Sequence, residues 1–308
     1  MSSDPVADLA ASLGDFARGL RTLLNDRGLP RTGSPAATEA AGEPYADAWG
    51  DRPSGDIFGS MLLQAWSSAD HLLAAAELIS SRSVTAPPYT VMRAAAESAS
   101  IACYLTETGI DPLERIRRNM NYRLAGLSQQ IVMMESFTIT GATEKVTEKE
   151  TRLAAIAESG QRHGFRFRAR KRHQSAYFHD EPPSAMKLMD LCASRTPNLG
   201  ATYQRLLSSV AHSQLHGLTQ FVTSPVALLE PEGTRIVRQL GIDAQSAAQH
   251  LMIGPLCAST LVEHLGWFAG WDIDEQRVLM VRALHTWGRI AGVPYTGPAA
   301  SSRFAAAR

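Results

Sequence analysis

The sequence predicts an all-α fold, a multi-helix bundle with at most one small β-hairpin. Two observations carry this expectation. Apolar residues recur at helical spacing along most of the chain, and alternating strand-like runs are almost absent. With 308 residues, 44% of them hydrophobic and 19% charged, the chain is long and apolar enough to bury a substantial core.

Taken in order, a first helix is expected over 5–26, with Leu9, Leu13, Phe16, Leu20, Leu23 and Leu24 as its apolar stripe. The stretch that follows is rich in Gly, Pro, Ala and Ser and reads as a connector. Helices are next expected over 57–81, 88–107 and 111–134, the last begun by Asp111 as N-cap and Pro112 at the first helical position. The more charged 143–161 suits a surface helix with Leu153 and Ile156 on its apolar side. A basic connector and the Pro-rich DEPPSA lead to a short helix near 185–193, then to a longer one over 199–222. The sequence SPVALLEPEGTRIVRQLG places PEG between two apolar runs, the one hairpin signal in the chain. Helices over 244–270 and 274–291 close the bundle; Gly254-Pro255 kinks the first of these. The chain is thus expected to comprise an N-terminal helical arm (1–28), a linker (29–54), a helical bundle (55–292) and a flexible tail (293–308).

Lys plus Arg and Asp plus Glu balance at 30 each, so no global field draws the protein to nucleic acid or to an anionic membrane; any such attraction is local. The start has no basic n-region followed by an apolar one, and Glu263 and His264 interrupt the greasiest stretch, 251–271. A cytoplasmic protein without a membrane span is the expectation. Cys103, Cys192 and Cys257 are far apart and lack CxxC spacing, so they read as small core residues. The absence of a Walker loop, a GxGxxG, a GxSxG elbow and a DDxxD motif removes support for the commonest nucleotide, hydrolase and terpene readings.

The most unusual segment is YQRLLSSVAHSQLHG, 203–217. At 100° per residue Arg205, Ser209, His212 and His216 share a narrow arc, opposite Tyr203, Leu207, Val210 and Leu218. A solvated helix face is normally filled with Lys, Glu and Asp, yet Arg205 is the only formally charged residue from Gly200 to Thr223. Serine, histidine and one arginine suit a partly buried, hydrogen-bonded seam, which is either a site or a set of groups that satisfy one another.

YQRLLSSVAH, in which six residues separate Arg205 from His212, resembles the Arg-x(4–6)-His motif of HEPN-type helical domains. VMRAAAESASIACYL, with Arg93 and Glu97 one turn apart, is similar to the Arg-x-x-x-Glu helix of proteins grouped with them. The resemblance covers 57–222, roughly half of the chain. It implies RNA as partner, no cofactor or metal, and a homodimer. It also implies His212 exchanging a proton with a ribose 2′-hydroxyl or a leaving oxygen while Arg205 stabilises charge on the phosphate, with Ser209 and His216 beside them.

Other constellations compete. His212 and His216 form HxxxH, the i,i+4 spacing that lets two imidazoles bind one metal, with Glu97, or Asp70 and Glu77, as further ligands. Arg93 and Glu97 stand in a helix otherwise nearly free of charge, which suggests an inward-facing pair with a binding or orienting role. RHGFRFRARKRH, 162–173, groups Arg162, Arg166, Arg168, Arg170, Lys171 and Arg172 around Phe165 and Phe167, a combination that can grip phosphates and stack on bases. Arg115, Arg117, Arg118 and Arg123 add charge spread around their helix. The leading expectation is a HEPN-like protein that binds or cleaves RNA. The alternatives are a small-molecule metabolic enzyme, metal-dependent or not, with its ligand in the same seam, and a non-catalytic regulatory or interaction protein.

Overall fold

The computed structural model describes residues 4–42, 53–136, 141–169, 175–193, 198–221, 226–230, 233–237, 241 and 243–293. These form an all-α bundle with two small two-stranded pairings. The helices are α1 (Pro5–Asp26), α2 (Pro35–Ala41), α3 (Pro53–Ser81), α4 (Pro87–Leu105), α5 (Pro112–Glu135), α6 (Ala142–Arg162), α7 (Ala185–Cys192), α8 (Leu199–Ala211), α9 (Leu215–Leu218), α10 (Ala244–Leu251), α11 (Ile253–Phe268) and α12 (Asp274–Ala291). Strands β1 (Phe167–Arg168) and β2 (Tyr177–Phe178) pair antiparallel, as do β3 (Val226–Glu230) and β4 (Gly233–Val237), the hairpin signalled by PEG. Among the described residues no helix is long and apolar enough to cross a membrane.

Three helix starts share one device. Asp4, Ser34 and Asp111 each cap a first-turn amide, at Val6, Ala37 and Leu113 respectively, and each is followed by a proline. Proline is well placed there, because its fixed φ suits the first turn and its missing N–H would have lacked a helical partner anyway.

The α3–α4 pair is the centre, with α1 packed along α3, α11 along α4, and α12 along α1. The stripe expected on α1 is buried throughout, from Leu9 to Leu24, and belongs to the same hydrophobic cluster as α3, α4, α11 and α12. Trp287 and Gln276 of α12 donate to the Leu9 and Gly19 carbonyls of α1. The 29–54 stretch contains α2, and residues 43–52 lie outside the described set, as does the tail from 294 onwards.

Arg115 binds α2 to this core. It is 1% exposed, and its Nε donates to Glu39 at 3.2 Å while Nη1 donates to the Leu105 and Glu107 carbonyls at the end of α4. Its guanidinium also sits 5.0 Å from the centre of the Phe268 ring and 5.7 Å from that of Trp267. Burial pushes the Glu39 carboxyl above the ordinary carboxylate range, and Arg115 only partly offsets this. The other arginines of α5 are paired as well: Arg117 with Glu114, Arg118 with Glu107 and Glu114, and Arg123 with Asp56. The positive charge read along this helix is therefore locally neutralised.

Two expected helices are divided. The segment expected over 244–270 is α10 and α11 with Met252 between, because Pro255 falls in the first turn of α11, where a missing N–H costs nothing. The segment expected over 199–222 ends at Ala211. Gln214 N–H reaches back to the Ser209 carbonyl at 2.8 Å and Ser213 N–H to the Val210 carbonyl at 3.0 Å. This is the double bond pattern of a Schellman stop, with Ser213 at φ +52° in the left-handed position that glycine usually takes. The chain then folds back, and Gly217 lies so close to α8 that an added Cβ would be 2.7 Å from the Ser209 carbonyl carbon.

Candidate functional site

The helix stop changes the geometry of the seam. Arg205, Ser209 and His212 remain with α8, His212 as its C-cap, whereas His216 belongs to α9 beyond the turn. The one-helix HxxxH pair expected from the sequence is thus not formed. Among the described residues no three His, Cys, Asp or Glu side chains come together as a metal-holding group. Asp70 pairs instead with Arg21 of α1, and Glu77 is exposed on α3.

The two segments that carry the family resemblance do meet. Arg93 Nε donates to Glu97 at 2.7 Å, and Arg93 Nη1 donates to Ser208 of α8 at 3.4 Å. Arg93 and Glu97 are 23% and 27% exposed, so the pair is shielded from bulk water without being sealed off. Ser209, expected on the polar arc beside Arg205 and His212, is instead buried and turns back to donate to the Leu206 carbonyl. Serine at that point prefers the local backbone acceptor one turn earlier, and its neighbour Ser208 takes the contact across the interface. Arg205, His212 and His216 are exposed. His212 stands seven positions after Arg205, so the two share one face of α8 with about 10 Å of helical rise between them.

Contacts to α7 and α10 also hold α8. Tyr203 Oη donates to the Gln249 carbonyl of α10 at 2.5 Å. Asp190 of α7 accepts from Ala201 N–H at 3.0 Å. Gly200 allows this approach, since an added Cβ would lie 2.8 Å from the Asp190 Cα. On the other side of α10, Tyr89 Oη and His250 Nδ1 are 3.0 Å apart, and the Tyr89 ring meets Phe221 edge-on. The exposed edge with Arg205 and His212 is therefore mounted on α7 and α10 through these contacts.

The basic connector is divided by the fold. Phe165 is buried and Phe167 partly so, each with its ring 5.7 Å from Phe178, so these two rings serve packing and are not presented as a stacking surface. Arg166 and Arg168 are exposed, while Arg170, Lys171, Arg172 and His173 lie outside the described residues. Beside the connector lies an open cleft of about 400 Å³ lined by Asp111, Leu113, Glu114, Arg117, Phe165, His179 and Asp180. Burial opposes the Glu114 carboxylate, but bonds from Arg117 and Arg118 outweigh it and hold the group below the ordinary range. With Arg117 engaged by Glu114, the remaining lining is net acidic. None of the seam residues lines this cleft.

Comparison with protein-family models, with curated proteins and with solved structures gave no match.

Proposed function

We propose that the chain is a HEPN-like protein that engages RNA along the exposed edge of α8. In this reading Arg205 holds a backbone phosphate, and His212 exchanges a proton with a ribose 2′-hydroxyl or a leaving oxygen. The observation that carries the reading is the Arg93–Ser208 bond, which joins the Arg-x-x-x-Glu helix to the Arg-to-His helix with Arg205 and His212 exposed beside it. Arg93 and Glu97 act as positioning residues. They hold α4 against α8 and keep a charged pair close to the bound backbone. Arg166 and Arg168, exposed on the connector, lend further phosphate contacts. A homodimer belongs to the same proposal.

Fluorescence anisotropy of a labelled single-stranded RNA, measured over a range of salt concentrations, tests the binding half. The wild type is expected to bind with a negative salt slope, and Arg205→Ala to weaken binding and reduce that slope by about 0.7, the loss of one phosphate contact. Equal affinity and slope for the two proteins would remove Arg205 from the interface. Sedimentation of the same samples reads the oligomeric state.

A further inference from the structure

The three cysteines, distant in sequence, converge in the fold. Cys103 lies in the last turn of α4, Cys192 ends α7, and Cys257 lies in the first turns of α11. The Cys192 and Cys103 sulfurs are 3.6 Å apart. Toward α11, Cys192 Sγ meets the Cys257 carbonyl oxygen at 3.6 Å, and the Cys257 thiol is engaged by the Ser100 hydroxyl, also at 3.6 Å. Cys103 and Cys192 retain 6% and 5% exposure, whereas Cys257 has none.

We propose that Cys103 and Cys192 form a peroxide-responsive thiol pair that closes to an intramolecular disulfide, with Cys257 left reduced. The sulfurs need to approach by about 1.5 Å to reach the S–S bond length of about 2.05 Å. Cys192 Sγ stands between the Cys103 sulfur and the Cys257 carbonyl oxygen, and its neighbours lower the Cys192 thiol from its ordinary range, in line with Cys192 as the attacking group. Its sulfur attacks one peroxide oxygen. An S–O bond forms, the O–O bond breaks, and the departing hydroxide takes up a proton to become water. The Cys103 sulfur then attacks the Cys192 sulfenic sulfur; the S–S bond forms, the S–O bond breaks, and the leaving hydroxyl takes the Cys103 thiol proton to become a second water. Two thiols lose two electrons and two protons, and one peroxide becomes two waters.

The bond would tie α7 to α4. α7 holds α8 through the Asp190–Ala201 bond and the close Gly200 contact, so the linkage tightens the base on which α8 rests. The inference rests on the thiol geometry and stands apart from the RNA reading.

The test uses the reduced full-length chain, treated with hydrogen peroxide, denatured, alkylated and mapped by mass spectrometry. The expected result is a Cys103–Cys192 linked peptide in most chains, with Cys257 alkylated. The same link forms in Cys257→Ser, and Cys103→Ser instead traps Cys192 as a sulfenic acid that dimedone labels. Three alkylated cysteines after treatment of the wild type, or a predominant link that includes Cys257 or a second chain, overturns the proposal without recourse to any variant.

Discussion

Replacing Arg115 with Met is expected to be the most damaging single change in the α2–α5 region. The substitution keeps an apolar stem of similar length against Phe268 and Trp267 but removes the guanidinium that serves Glu39 and two α4 carbonyls. Glu39, 11% exposed, is left without its counter-charge. Breaking a buried ion pair from one side typically costs about 3–5 kcal/mol. With a urea slope of about 3 kcal/mol per molar, the unfolding midpoint should fall by about 1–2 M. The double variant Arg115→Met with Glu39→Leu should recover about half of that loss, since no charge remains buried. Recovery stays incomplete because the Leu105 and Glu107 carbonyls still lack their donor, at about 1 kcal/mol each. Urea unfolding followed by far-ultraviolet circular dichroism reads all three proteins and the wild type. A midpoint shift below about 0.5 M for Arg115→Met, or a double variant no more stable than the single one, would refute the reasoning.

Two further outcomes are expected. Gly217→Ala drives a methyl group into the Ser209–Val210 backbone, 2.7 and 2.8 Å away, and should destabilise by about 1–3 kcal/mol while moving α9 off α8; thermal unfolding measures the first effect and amide exchange at 212–218 the second. Acidification should also weaken the fold. Burial depresses His264 below its ordinary 6.5, and its Nδ1 is 3.1 Å from the Thr106 carbonyl and 3.0 Å from the Thr106 hydroxyl, whose own hydrogen goes to Ala102. The unfolded chain therefore takes up the proton first. This contribution is fully present above about pH 6.5 and is lost as pH falls toward the folded value, by at most about 1.4 kcal/mol per unit, with His250 acting in the same direction. Urea midpoints at pH 7.5, 6.5 and 5.5 should decline in the wild type and decline less in His264→Gln; equal slopes in the two proteins would contradict the assignment.

The all-α architecture was legible because burial imposes its period on the residues themselves. α1 runs from Pro5 to Asp26 and α12 from Asp274 to Ala291, as their periodicity and flanking residues indicate. Misreadings cluster where a tertiary contact overrides a local signal. Apolar periodicity continues past His212, and only the left-handed Ser213 and the close Gly217 contact reveal the stop. A glycine at 213 would have announced it. The approach of the Arg-x-x-x-Glu helix to the Arg-to-His helix was foreseeable from the paired motifs, but the choice between Ser208 and Ser209 was not, because adjacent serines differ only in which face of α8 meets α4. Arg115 looked like one more surface charge, since its partner Glu39 lies 76 residues away. The clustering of Cys103, Cys192 and Cys257 was likewise invisible, as no spacing in the sequence encodes which helices pack together.

The measurement that bears most directly on the proposed role is cleavage of a labelled RNA pool by the purified chain in excess chelator, beside Arg205→Ala and His212→Ala variants with intact circular dichroism. The account predicts cleavage by the wild type and its loss in both variants. Cleavage that survives in both would place the chemistry elsewhere, and an inert wild type that also fails to bind RNA would contradict the RNA reading of the α8 edge.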